Sequence, residues 1–302
     1  MRYYRPGTAL VLGGCSIDWR ITMRVGNNPL RQSRAGEFKQ IVFCVVTHLP
    51  NLTDDYHRQR LEVVQTCLRT MTQNAGVEYS LAIWDNGSCK RLRDWIRKEI
   101  KPDVFVESFN AGKTAGRTSL VRMIPPGRVV CYSDDDILYY PDWLKPQMDI
   151  LGHFPNVACV TGYPVRSSFR WGNFHTRTWA QKFAKLERGR FLPRAWEDDF
   201  AVSVGREPEW HADYTKDDAD YRITWREKQA YATSHHCQFI AKSEIISRII
   251  SFDGMAMGDE RVLDETLDQL GLRLATTERL TRHIGNVLDD KIRKEIEAWQ
   301  AK

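Results

Sequence analysis

The stretch that decides the fold is Val129-Val130-Cys131-Tyr132-Ser133-Asp134-Asp135-Asp136, an apolar run that ends in three consecutive carboxylates. Short apolar runs of this kind are typical of parallel strands buried on both faces. Adjacent carboxylates repel one another, and a divalent cation is the obvious partner that would cancel the repulsion. Side chains two apart on a strand-like segment point the same way, so we expect Asp134 and Asp136 to bind the ion while Asp135 faces elsewhere. The alternative is a solvated acidic turn or a helix cap.

The segments on both sides of this stretch alternate between strand and helix patterns. Before it, strands are predicted at 41–47, 79–84 and 104–107, and helices at 56–72, 91–100 and 114–123. After it, helices are predicted at 141–151, 243–250, 261–270 and 291–299, and a strand at 238–241. Such alternation predicts an α/β fold built on a doubly wound, mostly parallel central sheet.

The same patterns divide the chain into parts. Residues 1–38 are rich in Arg and Gly, show no sustained periodicity and are predicted to be an amino-terminal extension. Residues 39–290 are predicted to form the α/β domain, with a long, partly irregular insertion at about 166–236 that carries five tryptophans among charged residues. Segments of that size are seldom structureless fillers, so we expect the insertion to face a substrate. Residues 291–302 are predicted to form a carboxy-terminal helix.

The composition limits the classes of function. Lys and Arg exceed Asp and Glu by 44 to 39, and the resulting charge of +5 suits an anionic ligand but does not by itself indicate nucleic acid. Seven scattered cysteines without a CxxC pair indicate a reduced, cytoplasmic protein, with no disulfide framework and no zinc site. The apolar runs fall far short of the roughly 20 residues that cross a bilayer, so no transmembrane helix is expected.

Polar clusters follow three of the predicted strands, at Thr47-His48, at Asp85 to Ser88 and at Asp134 to Asp136. Ligands of open α/β sheets bind beyond the carboxyl ends of the strands, so we expect the three clusters to converge on one site. Carboxylate oxygens on a short loop suit Mn²⁺ or Mg²⁺, which keep open positions for waters and phosphate oxygens.

Five motifs occur along the chain in a fixed order. They are Trp84-Asp85-Asn86-Gly87-Ser88; Asn110-Ala111-Gly112-Lys113 with Arg117; Tyr132 to Ile137 followed by Tyr140-Pro141-Asp142-Trp143-Leu144; Gly258-Asp259-Glu260 with Leu263, Leu267 and Gly271; and Arg282-His283-Ile284-Gly285-Asn286. In order and spacing they resemble the motifs of family 2 glycosyltransferases with the GT-A (Rossmann-like) fold. The resemblance spans about 40–290, outside much of the insertion at 166–236.

The resemblance implies a metal-dependent, inverting transfer of a sugar from a nucleotide diphosphate donor, expected to be UDP-linked, to a hydroxyl of a saccharide or another acceptor. Asp134, Asp136 and His283 would bind Mn²⁺ or Mg²⁺. The donor would contact a set of polar side chains, namely Thr47, Asp85, Asn86, Lys113, Arg117, Asp134 and Asp135. Glu260 falls at the position of the catalytic base. Asp259 stays a second candidate, because this chain has Asp before Glu where the family has Glu before Asp.

Each of these roles has a simpler alternative. Lys113 and Arg117 could be solvated, and Glu260 could be a surface carboxylate that the helix dipole favours. His283 could be satisfied by backbone groups. Trp196, Glu197 and Asp198 are candidates for binding the acceptor, because tryptophan faces suit the apolar side of a sugar and carboxylates suit its hydroxyls, although most of the tryptophans could simply be core residues.

Other functions stay open at this point. A nucleotidyltransferase that makes nucleotide sugars generally needs a Gly-rich basic loop after the first strand, and His48-Leu49-Pro50-Asn51 is not one. A metal-dependent nuclease would use Asp134 to Asp136 and Glu260 on two ions and would bind nucleic acid with strong salt dependence. A carbohydrate-binding module would leave the strand-end motifs unexplained. Nucleic acid is not excluded as an acceptor.

Overall fold

The computed structural model describes residues 36–249, 257 and 260–300. The strands are β1 Ile41–Thr47, β2 Tyr79–Asn86, β3 Val104–Ser108, β4 Val129–Ser133, β5 Ile137–Tyr139, β6 Val157–Thr161, β7 Lys185–Gly189, β8 Asp220–Trp225, β9 Lys228–Tyr231, β10 Gln238–Lys242, β11 Leu272–Ala275 and β12 Thr281–His283. The helices are α1 Arg60–Gln73, α2 Lys90–Trp95, α3 Lys113–Met123, α4 Leu144–His153, α5 Phe174–Phe183, α6 Arg194–Ser203, α7 Pro208–Tyr214, α8 Ser243–Ile246, α9 Glu260–Leu270 and α10 Asp290–Gln300.

Ten of the described strands form one sheet in the order β3-β2-β1-β4-β10-β6-β11-β9-β8-β7. β1 pairs in parallel with β2 and β4, and β2 pairs in parallel with β3. Seven of these strands run in one direction, and β7, β9 and β10 run in the opposite direction. The predicted α/β fold with a doubly wound, mostly parallel sheet is therefore confirmed.

Helices cover both faces of the sheet because the central strand is apolar on both sides. All seven residues of β1 are buried. On one face, Phe43 belongs to the same core cluster as Leu68 of α1. On the other face, Cys44 packs in a second cluster with Leu120 of α3. Full burial of each large side chain contributes about 1.5–3 kcal/mol relative to exposure, so these two clusters hold the carboxyl ends of the strands in place.

The insertion at 166–236 is more regular than its sequence indicated. It contains α5, α6, α7 and the strands β7 to β9. These three strands pair antiparallel with one another and extend the sheet beyond β11. Their sequence pattern was hard to recognise, because β8 alternates one buried residue with two partly exposed ones and lacks an aliphatic run.

Several element boundaries differ from the predicted ones. The helix expected at 141–151 begins only at Leu144, since Asp142 has a left-handed φ of 58° that interrupts a helix. The helix expected at 243–250 is the single turn α8 within the described residues. β5 was not predicted, and it pairs antiparallel with β12 in a small second sheet. The predicted extension at 1–38 lies outside the described residues except for its last three positions.

Two expectations about the whole chain concern membranes and cysteines. None of the helices in the described ranges is long and apolar enough to cross a membrane. The six cysteines that the described ranges contain are free thiols, and most of them are buried. Cys15 lies outside these ranges.

Candidate active site

The three polar clusters meet at the carboxyl ends of β1, β2 and β4, which are neighbours in the sheet. Thr47 stands opposite Asp85 in the pairing of β1 with β2, and its hydroxyl donates a hydrogen bond of 3.2 Å to Asp85 Oδ1. The backbone N–H of His48 donates to Asp135 Oδ2 at 3.0 Å. The predicted convergence of the strand ends is therefore present.

A cleft of about 670 Å³ opens at this edge of the sheet. Its walls come from β1, the start of α1, the turn after β4, the end of α6 and the segment after β12. The residues that line it are Val46, His48, Tyr56, His57, Arg60, Asn86, Asn110, Lys113, Asp134, Asp135, Asp136, Ser203, Val204, Gly205, His236, Cys237, Met257, Glu260, His283, Gly285 and Asn286.

The turn after β2 positions Asn86 at the cleft and Asp85 behind it. The amide of Asn86 donates to Asn110 Oδ1 at 2.9 Å and accepts from the N–H of Ala111 at 2.8 Å, which fixes two loops together. Gly87 has a φ of 81°, and a Cβ there would lie 2.9 Å from the backbone nitrogen of Asn110, so only glycine fits the turn. Asp85 is fully buried, and burial raises the pKa of its carboxyl above the usual value.

Asp134 has partners on both carboxylate oxygens. The hydroxyl of Tyr132 donates to Oδ1 at 2.9 Å, and the ammonium of Lys113 donates to Oδ2 at 2.8 Å. These bonds fix the carboxylate at the base of the cleft, where it is 9% exposed. A carboxylate offers about four lone-pair positions, so two remain for a further ligand.

Asp135 and Asp136 share one cation, the guanidinium of Arg60. Arg60 donates to Asp135 Oδ1, and its Nη1 lies 3.4 Å from Asp136 Oδ2. The expectation that Asp135 faces elsewhere was wrong: both residues lie in a turn between β4 and β5, where the alternation of an extended strand does not apply. Burial raises the pKa of Asp135, and the charge of Arg60 offsets only part of that effect.

His283 stands beside Asp136 because β12 pairs with β5. His283 lies opposite Ile137, and the N–H of Ile284 donates to the carbonyl of Asp136 at 2.9 Å. The imidazole Nε2 is 3.4 Å from Asp136 Oδ2, while Nδ1 hydrogen-bonds Ser203 Oγ at 2.8 Å. Burial raises the pKa of Asp136, but His283 and Arg60 outweigh it and hold this pKa well below the usual range. One oxygen of the carboxylate, Oδ1, is buried without a hydrogen-bond partner among the described residues.

Glu260 begins α9 and faces two cations rather than solvent. Lys113 Nζ lies 2.8 Å from Glu260 Oε1, and Arg117 Nη1 donates to Oε2 at 2.8 Å. The alternative of solvated positions for these residues is thereby excluded, since the side chains of Lys113 and Arg117 are 17% and 2% exposed. Burial raises the pKa of Glu260, yet the two cations lower it overall to about 2. Asp259, the second candidate base, lies outside the described residues.

Trp196, Glu197 and Asp198 are not among the described residues that line the cleft. Trp196 packs in a cluster at the far end of the sheet that contains Tyr231. Glu197 is buried, accepts from the N–H of Arg166 at 2.9 Å and contacts His211 Nε2 at 3.2 Å. Asp198 forms an ion pair with Arg194 one helical turn away. The same helix α6 instead reaches the cleft at its carboxyl end, through Ser203, Val204 and Gly205.

His235 and His236 are consecutive histidines that directly precede Cys237. They lie in a turn before β10, and their rings stack with centroids 4.5 Å apart. The ligand atoms of both histidines and of Cys237 lie within 4.8 Å of one another. His236 lines the cleft and its Nδ1 is 3.2 Å from Asp264 Oδ2.

Sequence reasoning missed Arg60, which contacts two of the carboxylates in the cleft. Besides Asp135 and Asp136, it donates to Asn286 Oδ1 at 2.7 Å and so joins α1 to the segment after β12. One signal was available: Arg60 is the first residue of α1, where the helix dipole disfavours a cation. An arginine at that position, 6% exposed, requires carboxylates nearby.

Comparison with known proteins adds an independent finding. Residues 56–207 match the family model described as "Glycosyl transferase family 2". This match covers Arg60, Lys113 and the three aspartates but ends before Glu260 and His283. No curated protein sequence matches the chain.

Several solved structures have a limited similarity to this chain. GalNAc-T7 with UDP, GalNAc and Mn²⁺ is similar over 81% of this chain and 43% of its own, with 11% identity and a TM-score of 0.48. The inositol-1-phosphate CTP transferase from T. maritima is similar over 85% and 95%, with 11% identity and a TM-score of 0.45. Residues 1–349 of S. aureus TarS are similar over 82% and 60%, with 11% identity and a TM-score of 0.46. Likenesses of this size carry no inference about activity.

Proposed function

The chain belongs to glycosyl transferase family 2, and on that premise we propose that it transfers a sugar from a nucleotide diphosphate donor to an acceptor hydroxyl, with a divalent cation and with inversion at the anomeric carbon. The observation that carries the proposal is the cleft itself. Four carboxylates, four imidazoles and the cations Arg60 and Lys113 line a single space of about 670 Å³. A space of that size suits a small-molecule ligand.

The donor set fits a divalent cation. Among the described residues, Asp136 Oδ1 is buried without a hydrogen-bond partner, which is costly unless a ligand engages it, and His283 Nε2 lies 3.4 Å from the other oxygen of the same carboxylate. We infer that Asp136 and His283 hold the ion and that Asp134 joins them. The bond from Ser203 to Nδ1 orients the imidazole, as partners behind a metal-binding histidine do. An imidazole in the set favours Mn²⁺ over the harder Mg²⁺.

When bound, such an ion would neutralise the diphosphate and stabilise the negative charge of the leaving group. The chain's own cations lie beside that position. Lys113 bridges Asp134 and Glu260 at 2.8 Å from each, so it is held close to where a diphosphate would approach. Asn86 and Asn110 present amide groups at the other end of the cleft and would contact the nucleoside, with Asp85 and Thr47 supporting them from behind.

Glu260 is the proposed base. Among the described carboxylates that line the cleft, Glu260 is the one outside the 134–136 turn. It can therefore face an acceptor while the aspartates face the donor. Its pKa of about 2 makes it a weak base toward a free hydroxyl. The proton would therefore move late, as the acceptor oxygen bonds to the anomeric carbon and becomes acidic.

A two-ion nuclease is less consistent with this geometry. That function needs Glu260 and the aspartates to share metal ions. Both oxygens of Glu260 instead face the cations Lys113 and Arg117, which would repel a second ion.

The test is a panel of nucleotide sugars, measured for binding and slow hydrolysis with and without Mn²⁺. We expect at least one donor, UDP-linked in the first instance, to bind and turn over only with the ion. Two matched variants test whether the ion binds in the cleft. Asp136→Ala should lose Mn²⁺-dependent donor binding, while Asp198→Ala, which lies outside the lining of the cleft, should retain it. If no donor binds the wild-type protein, the proposed function is wrong.

A further inference from the structure

His236 and Asp264 form a hydrogen-bonded pair at one wall of the cleft. His236 lines the cleft, and its Nδ1 lies 3.2 Å from Asp264 Oδ2. Within the part of the chain that the structure describes, the other ring nitrogen, Nε2, has no hydrogen-bond partner and is not enclosed by protein. Nε2 therefore reaches open space, and the cleft is the space that this side chain borders.

A buried arginine holds Asp264 in this position. Arg273 is fully buried, and its Nη2 donates to Asp264 Oδ1. Its Nε donates to Ser234 Oγ at 3.0 Å, and its Nη2 also donates to the carbonyl of Ser234 at 2.8 Å. The arginine thus ties α9 to the turn that carries His236. A carboxylate bonded to a guanidinium acts as an acceptor, so the proton of the pair lies on Nδ1 of the neutral imidazole and the lone pair lies on Nε2.

The pair shares α9 with Glu260. Glu260 and Asp264 are four residues apart on this helix, so they lie on one face of it. His236 contacts Asp264 and lines the same cleft as Glu260. Burial raises the pKa of Glu260, but two neighbouring cations and then His236 lower it. The imidazole therefore stands within electrostatic reach of the Glu260 carboxylate.

Glu260 is a poor final holder of the proton that an acceptor hydroxyl gives up. Arg117 is 2% exposed and donates to Glu260 Oε2, while its Nε and Nη2 are buried without hydrogen-bond partners among the described residues. A protonated Glu260 would leave this guanidinium buried without a counter-charge, which is unfavourable. With a pKa of about 2, Glu260 gives up a proton readily to a stronger base. An imidazole is a stronger base than a carboxylate.

The charges around His236 favour its protonated form. The carboxylates of Asp264 and Glu260 lie on the helix that faces it. On its own turn, His235 stacks on it with ring centroids 4.5 Å apart. Burial lowers the pKa of His235 well below its usual value, so this ring stays neutral and does not repel an imidazolium.

Resting on the proposed function, we propose that His236 takes from Glu260 the proton of the acceptor hydroxyl. The acceptor O–H bond breaks as its oxygen bonds to the anomeric carbon, and the bond from that carbon to the diphosphate breaks with its electron pair going to the diphosphate. The proton passes from Glu260 to Nε2 of His236, by direct contact or across one water, and Asp264 stabilises the imidazolium through Nδ1. His236 then loses the proton to water, and Glu260 is again the counter-charge of its two cations.

The experiment measures UDP released by the full chain from UDP-glucose, UDP-galactose and UDP-N-acetylglucosamine at saturating Mn²⁺, with water as the acceptor. His236→Ala should lower kcat about a hundredfold, at the lower end of the effect of a positioned acid or base, and leave the affinity for UDP unchanged. Added imidazole should restore part of kcat in His236→Ala but not in Glu260→Gln, because it replaces the missing base and not the missing carboxylate. His236→Gln keeps an N–H group for Asp264 but has no basic nitrogen, so it should be as slow as His236→Ala.

The matched control is His175→Ala. His175 also pairs with a carboxylate of α9, since its Nδ1 lies 3.4 Å from Asp268 Oδ2, but it does not belong to the lining of the cleft. Its removal should leave kcat unchanged. The inference is overturned if His236→Ala retains kcat, if His236→Gln restores it, or if imidazole does not stimulate His236→Ala. A wild type that releases no UDP contradicts UDP-linked transfer and this inference with it, whereas release that does not depend on His236 overturns the inference alone.

Discussion

Replacing Arg60 with alanine should make the cleft bind Mn²⁺ more tightly. The guanidinium of Arg60 and a bound cation would compete for the same oxygens of Asp135 and Asp136. Without the guanidinium, a Mn²⁺ ion would bind these carboxylate oxygens with no competing cation from Arg60. The same change should destabilise the protein when no divalent cation is added, because it leaves a buried carboxylate without its partner.

The magnitude follows from the contact distance. Arg60 Nη1 lies 3.4 Å from Asp136 Oδ2, and two unit charges at that separation attract by about 5 kcal/mol at an effective dielectric constant near 20. The bond to Asp135 keeps the guanidinium nearby, so an ion has to overcome only part of this attraction. If that part is about a third, Mn²⁺ affinity rises on the order of tenfold. Unfolding without the ion should become easier by about 3–5 kcal/mol, the usual cost of breaking a buried ion pair.

The assay is the electron paramagnetic resonance signal of free Mn²⁺, titrated against protein at constant ionic strength, with thermal unfolding measured in parallel. Arg60→Lys keeps the charge and should stay close to wild type. Arg58→Ala, which removes an exposed arginine two residues away, should change neither measurement. If Arg60→Ala binds Mn²⁺ no more tightly than wild type, the guanidinium is not a competitor and its role is purely structural.

Three further results are expected. Asp136→Ala should abolish Mn²⁺-dependent donor binding measured by calorimetry. If this variant binds the donor as tightly as wild type does, other residues must hold the ion. Glu260→Gln should bind the donor and the ion as wild type does but lose sugar transfer, and retained transfer would point to Asp259 as the base. Folding lowers the pKa of Glu260 from 4.5 to about 2, so its contribution to stability is fully present above pH 4.5 and is lost as the pH drops toward 2. The difference in unfolding free energy between wild type and Glu260→Gln should therefore shrink between these two pH values. A difference that stays constant would contradict the pairing of Glu260 with Lys113 and Arg117.

The sequence was sufficient for some of the fully buried strands, although β6, which is also buried throughout, was not predicted. β1 and β4 are buried throughout, and their positions were predicted to within a residue. β7, the edge strand of the sheet, and β8 beside it escaped prediction because polar and partly buried residues mix in both of them. Edge strands of this kind are defined by their neighbours rather than by their own composition.

The candidate site also contains residues that the sequence indicated and residues that it did not. Residues carried by motifs, such as Lys113 and His283, line the cleft beside the aspartates, and their roles stay predictions. Arg60 and Asn286 were missed because their contact joins positions 226 residues apart, and no local pattern reports such a pairing. Trp196 was chosen from its sequence surroundings alone, which do not show that its ring packs against a cluster containing Tyr231, outside the lining of the cleft.

The charges of the cleft imply an order of binding. Asp134, Asp135, Asp136 and Glu260 face Arg60, Lys113 and Arg117, which leaves a formal charge of −1 while His283 is neutral. A nucleotide diphosphate approaching this arrangement meets net repulsion in a partly desolvated space, where charges are weakly screened. A divalent cation held by Asp134, Asp136 and His283 would change the formal charge to +1, and the N–H groups of Arg60 and Lys113 would then be available to phosphate oxygens. On the proposed function, we therefore expect the ion to bind before the donor, and we expect the contacts of Arg60 with Asp135 and Asp136 to influence how tightly the cleft holds it.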